Sequence, residues 1–507
     1  MLRIRRGESG RHRGAPFISR SAAIRRAPGE ALCRPARTSL LLLLPFLLAA
    51  GCRSGPSGGE PAEDRPPGDA APSPDSALAV SPSGHYFTYR GETRFLIHES
   101  GTQCVLQNLN VDYRGWVETL AAEGHAGAHI WAFVAPRQQL DGSVIEPRYG
   151  YVYPGAVPWA RRPGGPSAHD GGRRYDLQTF DEGTDPGAHY WPRLRDLCRR
   201  LQKRGMILGI TVFFGWPKDD EDFRYHPFAR ENGGPAAERA DITHIADPGI
   251  EIHAQAWDSR WPARRRSQWL WERFCLKLIA ETAAFDNVWF DFRDEWSYAE
   301  DTNMEAHFRR FFMSRGCLWA DRSAAADIRV TNPETPSFGP APAVRTEGGP
   351  YHAFGVLDEV WRQALAGVHY LLHADSREPG IPAWDPVAAE QRGLDPHDDR
   401  GRRFVGLAAR FFHRHVRNLD HLEPFPELAS GGHCLADPGR EYVVHIHQGH
   451  RPVIDLTHLA GQASVSFYDV QTGELQSPLK LTGGGTVMLP PPDTDGPWVA
   501  WITADEP

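Results

Sequence analysis

From about Ser81 onward, apolar runs typical of buried strands alternate with amphipathic segments typical of helices. The strand-like runs include TRFLIHESG, AHIWAFVAP, MILGITVFFGW and NVWFDF, and the segments between them include RGWVETLAAEGH, WPRLRDLCRRLQKRG and SQWLWERFCLKLIAETAAF. In the second of these helices, Leu194, Leu197 and Leu201 share one face, and Gly205 ends the helix. The repeated strand-then-helix order predicts a parallel sheet, as either a barrel or a doubly wound sheet.

The second half of this series is less regular. A helix is predicted at TNMEAHFRRFFMSR and another at LDEVWRQALAG, while DIRVTN, AVRTEGG and VHYLLHAD are predicted strands. The sequence pattern predicts six strands clearly and two weakly. For a barrel, the fifth and sixth positions are therefore the least well defined.

The pattern changes after the helix GRRFVGLAARFFHRHVRNLD. The segments that follow are short alternating runs separated by turn residues: CLADPGREYVVHIHQGHRPVIDL, ASVSFYDVQTGELQSPL and GGTVMLPPPDTDGPWVAWIT. Such runs are typical of an antiparallel β-sandwich. We therefore predict an α/β domain over residues 81–425 and a β-sandwich over residues 426–507, with the boundary between Glu423 and Gly431.

Charged residues follow two of the predicted strands at the point where each ends. NVWFDFRDEWSY runs from an apolar strand into Asp294 and Glu295, and AVRTEGGPY carries Glu347 into a Gly-Gly turn. The carboxyl ends of parallel barrel strands share one rim, where such folds hold their chemistry. Glycoside hydrolysis requires two carboxyl groups, one protonated and one ionised. Either acid alone is more simply a solvated loop residue, but the pair predicts Glu295 and Glu347 as catalytic residues.

Two long segments leave the predicted rim, between Pro136 and Tyr190 and between Pro217 and Trp261. Both are rich in Gly, Pro, Trp and Tyr. Loops of this length usually form lids or binding surfaces.

Other residues at strand ends are candidates for sugar binding. Aromatic rings suit the C–H-rich faces of sugars, although strand-end aromatics are often core residues. Polar pairs at the ends of the first and last predicted strands are further candidates. Arg293 and Arg345 could hold the acids ionised or form structural ion pairs. Together with Asp294, the predicted substrate-binding residues are His98, Glu99, Trp131, Trp216, Trp296, Tyr351 and Asp375.

The chain contains 23 histidines, which raises the question of a metal site. His445 and His447 share one face of a strand, but their sequence neighbourhood contains no carboxylate cage, which favours a solvated strand face. No HExxH or P-loop motif is present in the sequence. We therefore predict neither a metal nor a cofactor.

The N-terminus has the features of an export signal. A basic segment precedes LLLLLPFLLAAGC, which ends at Cys52 and is too short for a stop-transfer helix. Ala49-Ala50-Gly51-Cys52 resembles a bacterial lipobox, although the usual Leu is replaced by Ala49. We predict a signal peptide over residues 1–52, lipidation at Cys52, and a disordered Pro-, Gly- and Ser-rich linker over residues 53–80. The protein would then be exported and anchored to the envelope of a bacterium.

Charge and cysteine content narrow the range of partners. The formal net charge is −8 and the leader is basic, so the exported chain is acidic, which argues against nucleic acid as a partner. Five cysteines follow Cys52, and none forms a CxxC pair. That pattern favours neither a disulfide framework nor a zinc site. The expected partner is an oligo- or polysaccharide, and the membrane is contacted only through the lipid.

From about Ser83 to Trp501 the chain resembles the apiosidase-like barrel family of glycoside hydrolases, joined to a small collagen-binding-like sandwich. HYFTYRGETRFLIHESG is similar to the first strand of that family, and DNVWFDFRDEWSY resembles the fourth strand of the wider cellulase-containing clan, which ends in an Asn-Glu pair. VRTEGGPYH resembles the nucleophile strand, and FYDVQTGEL and LPPPDTDGPWVAWI resemble strands of the sandwich. The resemblance implies a (β/α)8 TIM barrel with Glu295 as acid/base and Glu347 as nucleophile.

One departure from the clan pattern matters for activity. Asp294 stands where the clan has Asn, so a hydrogen-bond donor is lost and a like charge adjoins Glu295. The expected function is an exported, membrane-tethered glycoside hydrolase that cleaves O-glycosidic bonds by a two-carboxylate retaining mechanism. The rival hypothesis, to which Asp294 lends weight, is a catalytically inactive carbohydrate- or matrix-binding surface lipoprotein.

Overall fold

The computed structural model describes residues 77–101, 105–134, 155–214, 223–243, 262–294, 302–331, 339–349, 353–373, 399–489 and 496–505. At positions 101, 214, 243, 293, 294, 302, 347, 353 and 354 it describes the backbone alone.

The described residues form 21 strands and seven α-helices, numbered here along the chain. The helices are α1 (Tyr113–Glu123), α2 (Tyr190–Lys203), α3 (Ala240–Thr243), α4 (Ala263–Thr282), α5 (Thr302–Met313), α6 (Ala353–Leu365) and α7 (Arg400–Arg414). The strands are β1 (Ala79–Val80), β2 (Phe87–Tyr89), β3 (Glu92–Arg94), β4 (Ile97–Gly101), β5 (Gly127–Trp131), β6 (Trp159–Arg161), β7 (Tyr175–Phe180), β8 (Ile207–Phe214), β9 (Val288–Asp294), β10 (Trp319–Asp321), β11 (Ile328–Val330), β12 (Ala343–Gly348), β13 (Val368–His373), β14 (Glu423–Pro424), β15 (Cys434–Asp437), β16 (Glu441–Ile446), β17 (Val453–Asp455), β18 (Gln462–Asp469), β19 (Leu479–Thr482), β20 (Thr486–Met488) and β21 (Trp498–Ala504).

Eight strands close into a barrel in the order β4-β5-β8-β9-β10-β11-β12-β13, with β13 paired to β4. Every neighbouring pair in the barrel is parallel. The predicted (β/α)8 TIM barrel is thus confirmed, and the doubly wound alternative is excluded.

The least regular part of the barrel is its fifth and sixth strands, as the weak pattern there indicated. The fifth, β10, has only three residues and was not among the predicted strands. Residues 322–327, all described, connect it to β11 by turns without a helix. A three-residue strand is too short to show a hydrophobic period, which explains why the sequence pattern missed it.

The N-terminal end of the barrel is filled by a small antiparallel sheet, β1-β2-β3. Phe87 and Tyr89 of β2 pack into one buried cluster with inward residues of the barrel strands, including Leu96, Ile207 and Leu371. β1 begins at residue 79, inside the segment predicted as linker. The C-terminal ends of the strands are therefore the side on which a site can open.

The two long segments after β5 and β8 contain ordered elements in their described parts. β6 and β7 pair with each other, and the ring of Trp159 on β6 packs edge-on against Phe133 and Phe228. Asn232 joins the two segments by accepting a hydrogen bond from the backbone N–H of His169, at 2.8 Å. These segments are packed against the barrel as fixed surfaces beside its second and third strands.

The C-terminal residues form antiparallel sheets that share a core with the barrel. Six strands pair in the order β14-β15-β16-β21-β18-β19, and β17 pairs with β20. One buried cluster contains Phe95 and Trp361 of the barrel together with Val443, Tyr468 and Val499 of the sheet. The sheet therefore packs directly on the barrel and is not a flexibly tethered domain.

No helix in the described part of the chain is long and apolar enough to cross a membrane. Four cysteines lie in that part, and all are free thiols. Cys198, Cys275 and Cys434 are buried, which agrees with their expected role as small core residues.

Candidate active site

The sequence positions of the two predicted catalytic acids fall at the C-terminal ends of two different barrel strands. β9, the fourth barrel strand, ends at Asp294, directly before Glu295. β12, the seventh barrel strand, contains Glu347 one residue before its end. The strand similar to the clan's fourth strand is thus fourth in this barrel. Glu295 lies outside the described residues, and Glu347 is described by its backbone.

The backbone of β12 is irregular at Glu347. Arg345 pairs with Tyr370 and Gly348 pairs with Leu372, so three steps on β12 match two on β13. This one-residue bulge interrupts the alternation of side chains along the strand. Gly348 is required there, because a Cβ atom would lie 2.5 Å from the ring of Tyr370 and 2.7 Å from the carbonyl oxygen of Leu371. Bulges of this kind re-aim side chains beside active sites.

Inside the barrel, a buried polar network joins four neighbouring strands. His129 Nε2 donates to Asp291 Oδ2 at 2.7 Å, and the hydroxyl of Thr211 donates to the same oxygen at 2.9 Å. Ser100 Oγ lies 3.0 Å from His129 Nδ1. When the imidazole carries its proton on Nε2, the serine hydroxyl donates a hydrogen bond to Nδ1. The network ties β4, β5, β8 and β9 together four residues before Glu295.

The order of contacts Ser100, His129, Asp291 is that of a serine-hydrolase triad, but its location excludes that chemistry. Each of these side chains is about 1% exposed, so the hydroxyl cannot reach a substrate. The network is instead a rigid support beneath the rim. Sequence reasoning missed it because the three residues lie on separate strands and no local motif connects them.

Below this network, the rings of Trp289 and His129 stack at 5.7 Å with an interplanar angle of 24° and fill the centre of the barrel. Gly209 makes room for both rings, since a Cβ atom there would lie 2.5 Å from the indole and 2.6 Å from the imidazole. The barrel interior is thus solid at this level, and any substrate must bind above it.

His98 is a predicted substrate-binding residue that lies deep in the barrel. It is fully buried, and its Nδ1 lies 3.0 Å from the carbonyl oxygen of Glu99. Burial lowers the pKa of His98 to about 3, so the ring is neutral at physiological pH. Its Nε2 has no hydrogen-bonding partner among the described residues. The neutral ring and its depth suit a supporting role beneath the rim.

Glu99, predicted beside His98 as a substrate-binding residue, packs against the helices outside the barrel. Its Oε1 accepts a hydrogen bond from the indole N–H of Trp116 on α1 at 3.0 Å, and the side chain is fully buried. Sugar binding by Glu99 stays a prediction, and this position favours a structural role.

Arg345, on the strand that carries Glu347, forms an ion pair with Glu359 of α6. Glu359 also accepts hydrogen bonds from Arg362 and Gln363 of the same helix. A structural ion pair, one of the two alternatives considered for Arg345, is thus present, and a role of Arg345 beside Glu347 stays a prediction. It fastens β12 to the helix that follows.

Trp131 closes the second barrel strand and lies beside the end of the eighth. Its ring centroid is 5.5 Å from that of His373, and the indole is 2% exposed. The described surroundings of Trp131 resemble a packed layer more than an open sugar platform. Its role as a subsite wall stays a prediction.

The remaining predicted site residues fall outside what the structure describes. The residues without a described position are Cys52, Trp216, Trp296, Tyr351 and Asp375. Asp294 is described by its backbone alone, at the last position of β9.

The fold has counterparts among solved structures. A glycoside hydrolase matches with 11% identity and a TM-score of 0.54, over 85% of this chain and 97% of that chain. A glycoside hydrolase family 5 structure from Bacteroides vulgatus ATCC 8482 matches with 11% identity and a TM-score of 0.54, over 85% and 94%. Another structure from that organism matches with 12% identity and a TM-score of 0.57, over 85% and 82%.

At these identities the likeness establishes the fold alone, a closed barrel that this chain shares with these solved glycoside hydrolases. No model of a known protein family matches the sequence. No curated protein matches it either.

Proposed function

We propose that this protein is a glycoside hydrolase that cleaves O-glycosidic bonds by a two-carboxylate retaining mechanism. Glu295 is the acid/base and Glu347 the nucleophile. One observation carries the proposal: in a closed barrel whose opposite end is filled, the fourth strand ends at the residue directly before Glu295 in sequence, and the seventh strand contains Glu347. The shared fold with solved glycoside hydrolases supports it.

The chemistry follows from the two carboxyl groups. One protonates the leaving oxygen while the other attacks the anomeric carbon, and water then hydrolyses the glycosyl-enzyme. A retaining enzyme holds these groups about 5 to 5.5 Å apart, and an inverting enzyme about 6.5 to 9.5 Å apart. The bulge in β12 and the buried network under β9 are devices that can hold the two strand ends at a defined separation.

The finer assignments belong to the same proposal. The resemblance to apiosidase-like barrels and to the collagen-binding-like sandwich, the export signal and the lipid on Cys52 all rest on sequence. Cys52→Ser is expected to release the protein from membranes into a soluble fraction. Wild-type protein that is already soluble, with the residue before Cys52 intact, would contradict the anchor.

The rival function is a carbohydrate- or matrix-binding surface lipoprotein without catalysis, and Asp294 in place of the clan's Asn is the observation that favours it. The deciding experiment is activity profiling of the full chain on a panel of aryl glycosides and plant polysaccharides. Turnover of any member supports the hydrolase. Binding of a polysaccharide without turnover, with Asp294→Asn equally inactive, supports the rival.

A further inference from the structure

A cluster of histidines lies where helix α6 of the barrel meets the C-terminal sheet. His445 is on β16, His447 follows directly after that strand, and Asp358 is on α6. One potential ligand atom from each of the three residues lies within 4.8 Å of the other two. The carboxylate comes from 87 residues earlier in the chain, so no local motif reveals the group.

The individual contacts are close to those of a coordination site. His447 Nδ1 lies 3.3 Å from Asp358 Oδ1. That matches the separation of about 3.3 Å between two ligand atoms that each lie about 2.0 to 2.1 Å from a tetrahedral metal ion. The rings of His445 and His447 are 4.7 Å apart between centroids, since residues two apart on a strand face the same side.

His445 is the residue that calls for an explanation. It is 2% exposed, yet neither of its ring nitrogens has a hydrogen-bonding partner in the described part of the chain. A buried polar group without a partner costs about 1 to 3 kcal/mol relative to a satisfied one. The expected solvated strand face is therefore wrong for His445, and a ligand that accepts its lone pair would remove the cost.

The charges around the cluster suit a divalent cation. Asp358 supplies one negative charge and the two imidazoles are neutral ligands when they bind metal. Arg362 lies one turn along α6 from Asp358, and its guanidinium donates to Glu359 at 3.0 Å, which offsets its charge. His433 lies near the group, with its ring 5.5 Å from that of His447.

We propose that His445, His447 and Asp358 bind a divalent transition-metal ion of the zinc class, which clamps α6 to the C-terminal sheet. Two imidazoles and one carboxylate favour such an ion over calcium or magnesium, which prefer all-oxygen sites. Asp358 and His447 are 53% and 40% exposed, so an ion can enter from solvent and keep a water ligand. The inference requires neither catalytic acid, so it stands apart from the proposed hydrolase activity.

The location gives the clamp a structural role. α6 follows β12, the strand that contains Glu347, and Val356 and Trp361 of α6 share a buried cluster with Leu435 and Val443 of the sheet. Metal binding to the folded state alone would stabilise this junction by mass action. The ion would act on stability whether or not the protein hydrolyses a glycan.

The test uses the full chain without a histidine tag, titrated with ZnCl2 by calorimetry, with metal content and melting temperature measured in parallel. Wild type is expected to bind one Zn²⁺ per chain and to melt at a higher temperature with zinc than with EDTA. His447→Ala and Asp358→Ala should each weaken binding at least about 100-fold, because even outer partners of a metal site are worth about 10- to 100-fold. Both replaced side chains are partly exposed, so the variants should fold.

His458→Ala is the matched control, because His458 is an exposed histidine of the same sheet region. It should bind zinc as wild type does. Absence of zinc binding by wild type would overturn the proposal. Binding and stabilisation that persist unchanged in both His447→Ala and Asp358→Ala would overturn it equally, since the ion would then lie elsewhere.

Discussion

Asp291 is part of the buried network in the barrel and lies on the strand that precedes Glu295. Its carboxylate accepts hydrogen bonds from His129 and Thr211 inside the barrel, and it lies on β9, four residues before Glu295 in sequence. Loss of this buried carboxylate leaves the ring N–H of His129 and the hydroxyl of Thr211 without their acceptor. The network should therefore matter for both stability and the position of the catalytic acid.

Asp291→Asn is expected to lower the free energy of unfolding by about 1.5 to 3 kcal/mol, the value of a hydrogen bond to a charged group. It should also lower kcat more than it changes KM, because it loosens the end of β9. Thr211→Val is the matched control, which removes one of the two donors to this carboxylate at almost constant volume and should cost about 1.5 kcal/mol, the low end of that range. Denaturant unfolding and steady-state kinetics check both effects. Equal, small losses of stability and of kcat in the two variants would show that the negative charge of Asp291 contributes to neither.

At the residue scale, the sequence predicts Glu295 and Glu347 as the catalytic acids, which stays a prediction, and it gives no sign of the buried network that the structure shows. Glu295 and Glu347 could be proposed because an acid directly after an apolar strand is a local signal. The contacts of His129 with Asp291, and of Glu99 with Trp116, join residues that are distant in sequence. Such contacts follow from the register of the closed barrel, which no single segment encodes.

Among the elements, β12 is the strand whose geometry most directly concerns catalysis. Its bulge depends on the absence of a side chain at Gly348, where a Cβ atom would meet Tyr370 and the backbone of β13. Gly348→Ala is expected to cost about 1 to 3 kcal/mol through overpacking and to reduce kcat. Gly485→Ala is the control, because nothing lies within 4 Å of its Cβ position. Thermal unfolding and kinetics of the two variants provide the comparison, and identical behaviour would contradict this role for Gly348.

The first and last barrel helices are joined by one buried ion pair. Arg402 of α7 donates to both carboxylate oxygens of Glu123 at the end of α1, at 2.6 and 2.8 Å. Burial acts to raise the pKa of Glu123, but hydrogen bonds from Arg402 and His125 outweigh it and lower the pKa to about 2. Because this pKa lies below the unfolded value, the stabilisation is fully present above about pH 4.5 and is lost only as the pH falls towards 2.

Glu123→Gln should therefore lower the free energy of unfolding by about 2 to 3 kcal/mol, by the same amount at every pH from 5.5 to 8. Glu118→Gln on the same helix is the control. Its pair with Arg204 is about half exposed, and its removal should change stability by less than about 0.5 kcal/mol. Chemical denaturation across this pH range measures both. A loss as small as that of the control would refute the role of the buried pair.

The helices and most of the strands could be predicted because each is long enough to show its own hydrophobic period. β10 could not, since it has three residues and no helix precedes β11. The order of the strands around the barrel, and the direct packing of the C-terminal sheet on α6 and α7, depend on long-range contacts. For the same reason His445 was misjudged as a solvated residue.

For the whole molecule, buried histidines dominate the expected response to acid. Burial lowers the pKa of His98, His226 and His369 to about 3 and that of His413 to about 4. The unfolded chain binds protons at these sites below about pH 6.5, whereas the folded chain does not. Stability is therefore lost as the pH falls from about 6.5 towards 3.

As the pH falls, each site lowers the free energy of unfolding by up to about 1.4 kcal/mol per pH unit. The four together lower it by on the order of 5 kcal/mol per pH unit once the unfolded chain is protonated. The urea midpoint should be nearly constant from pH 8 to 7 and fall steeply between pH 6 and 5. Replacement of His226 by Asn should make that fall shallower, because about one proton fewer is taken up on unfolding. A midpoint that does not change between pH 7 and 5 would contradict the burial of these rings.

The central claim for the whole molecule is that Glu295 and Glu347 perform retaining hydrolysis at one rim, and their variants should fail differently. Loss of a nucleophile stops every substrate, whereas loss of an acid/base mainly affects poor leaving groups. The direct measurement is hydrolysis of activated aryl glycosides by Glu295→Gln and Glu347→Gln, with and without azide. Glu347→Gln should be inactive throughout, while Glu295→Gln should retain partial activity that azide increases. An active wild-type enzyme whose rate survives the loss of Glu347 would contradict the assignment.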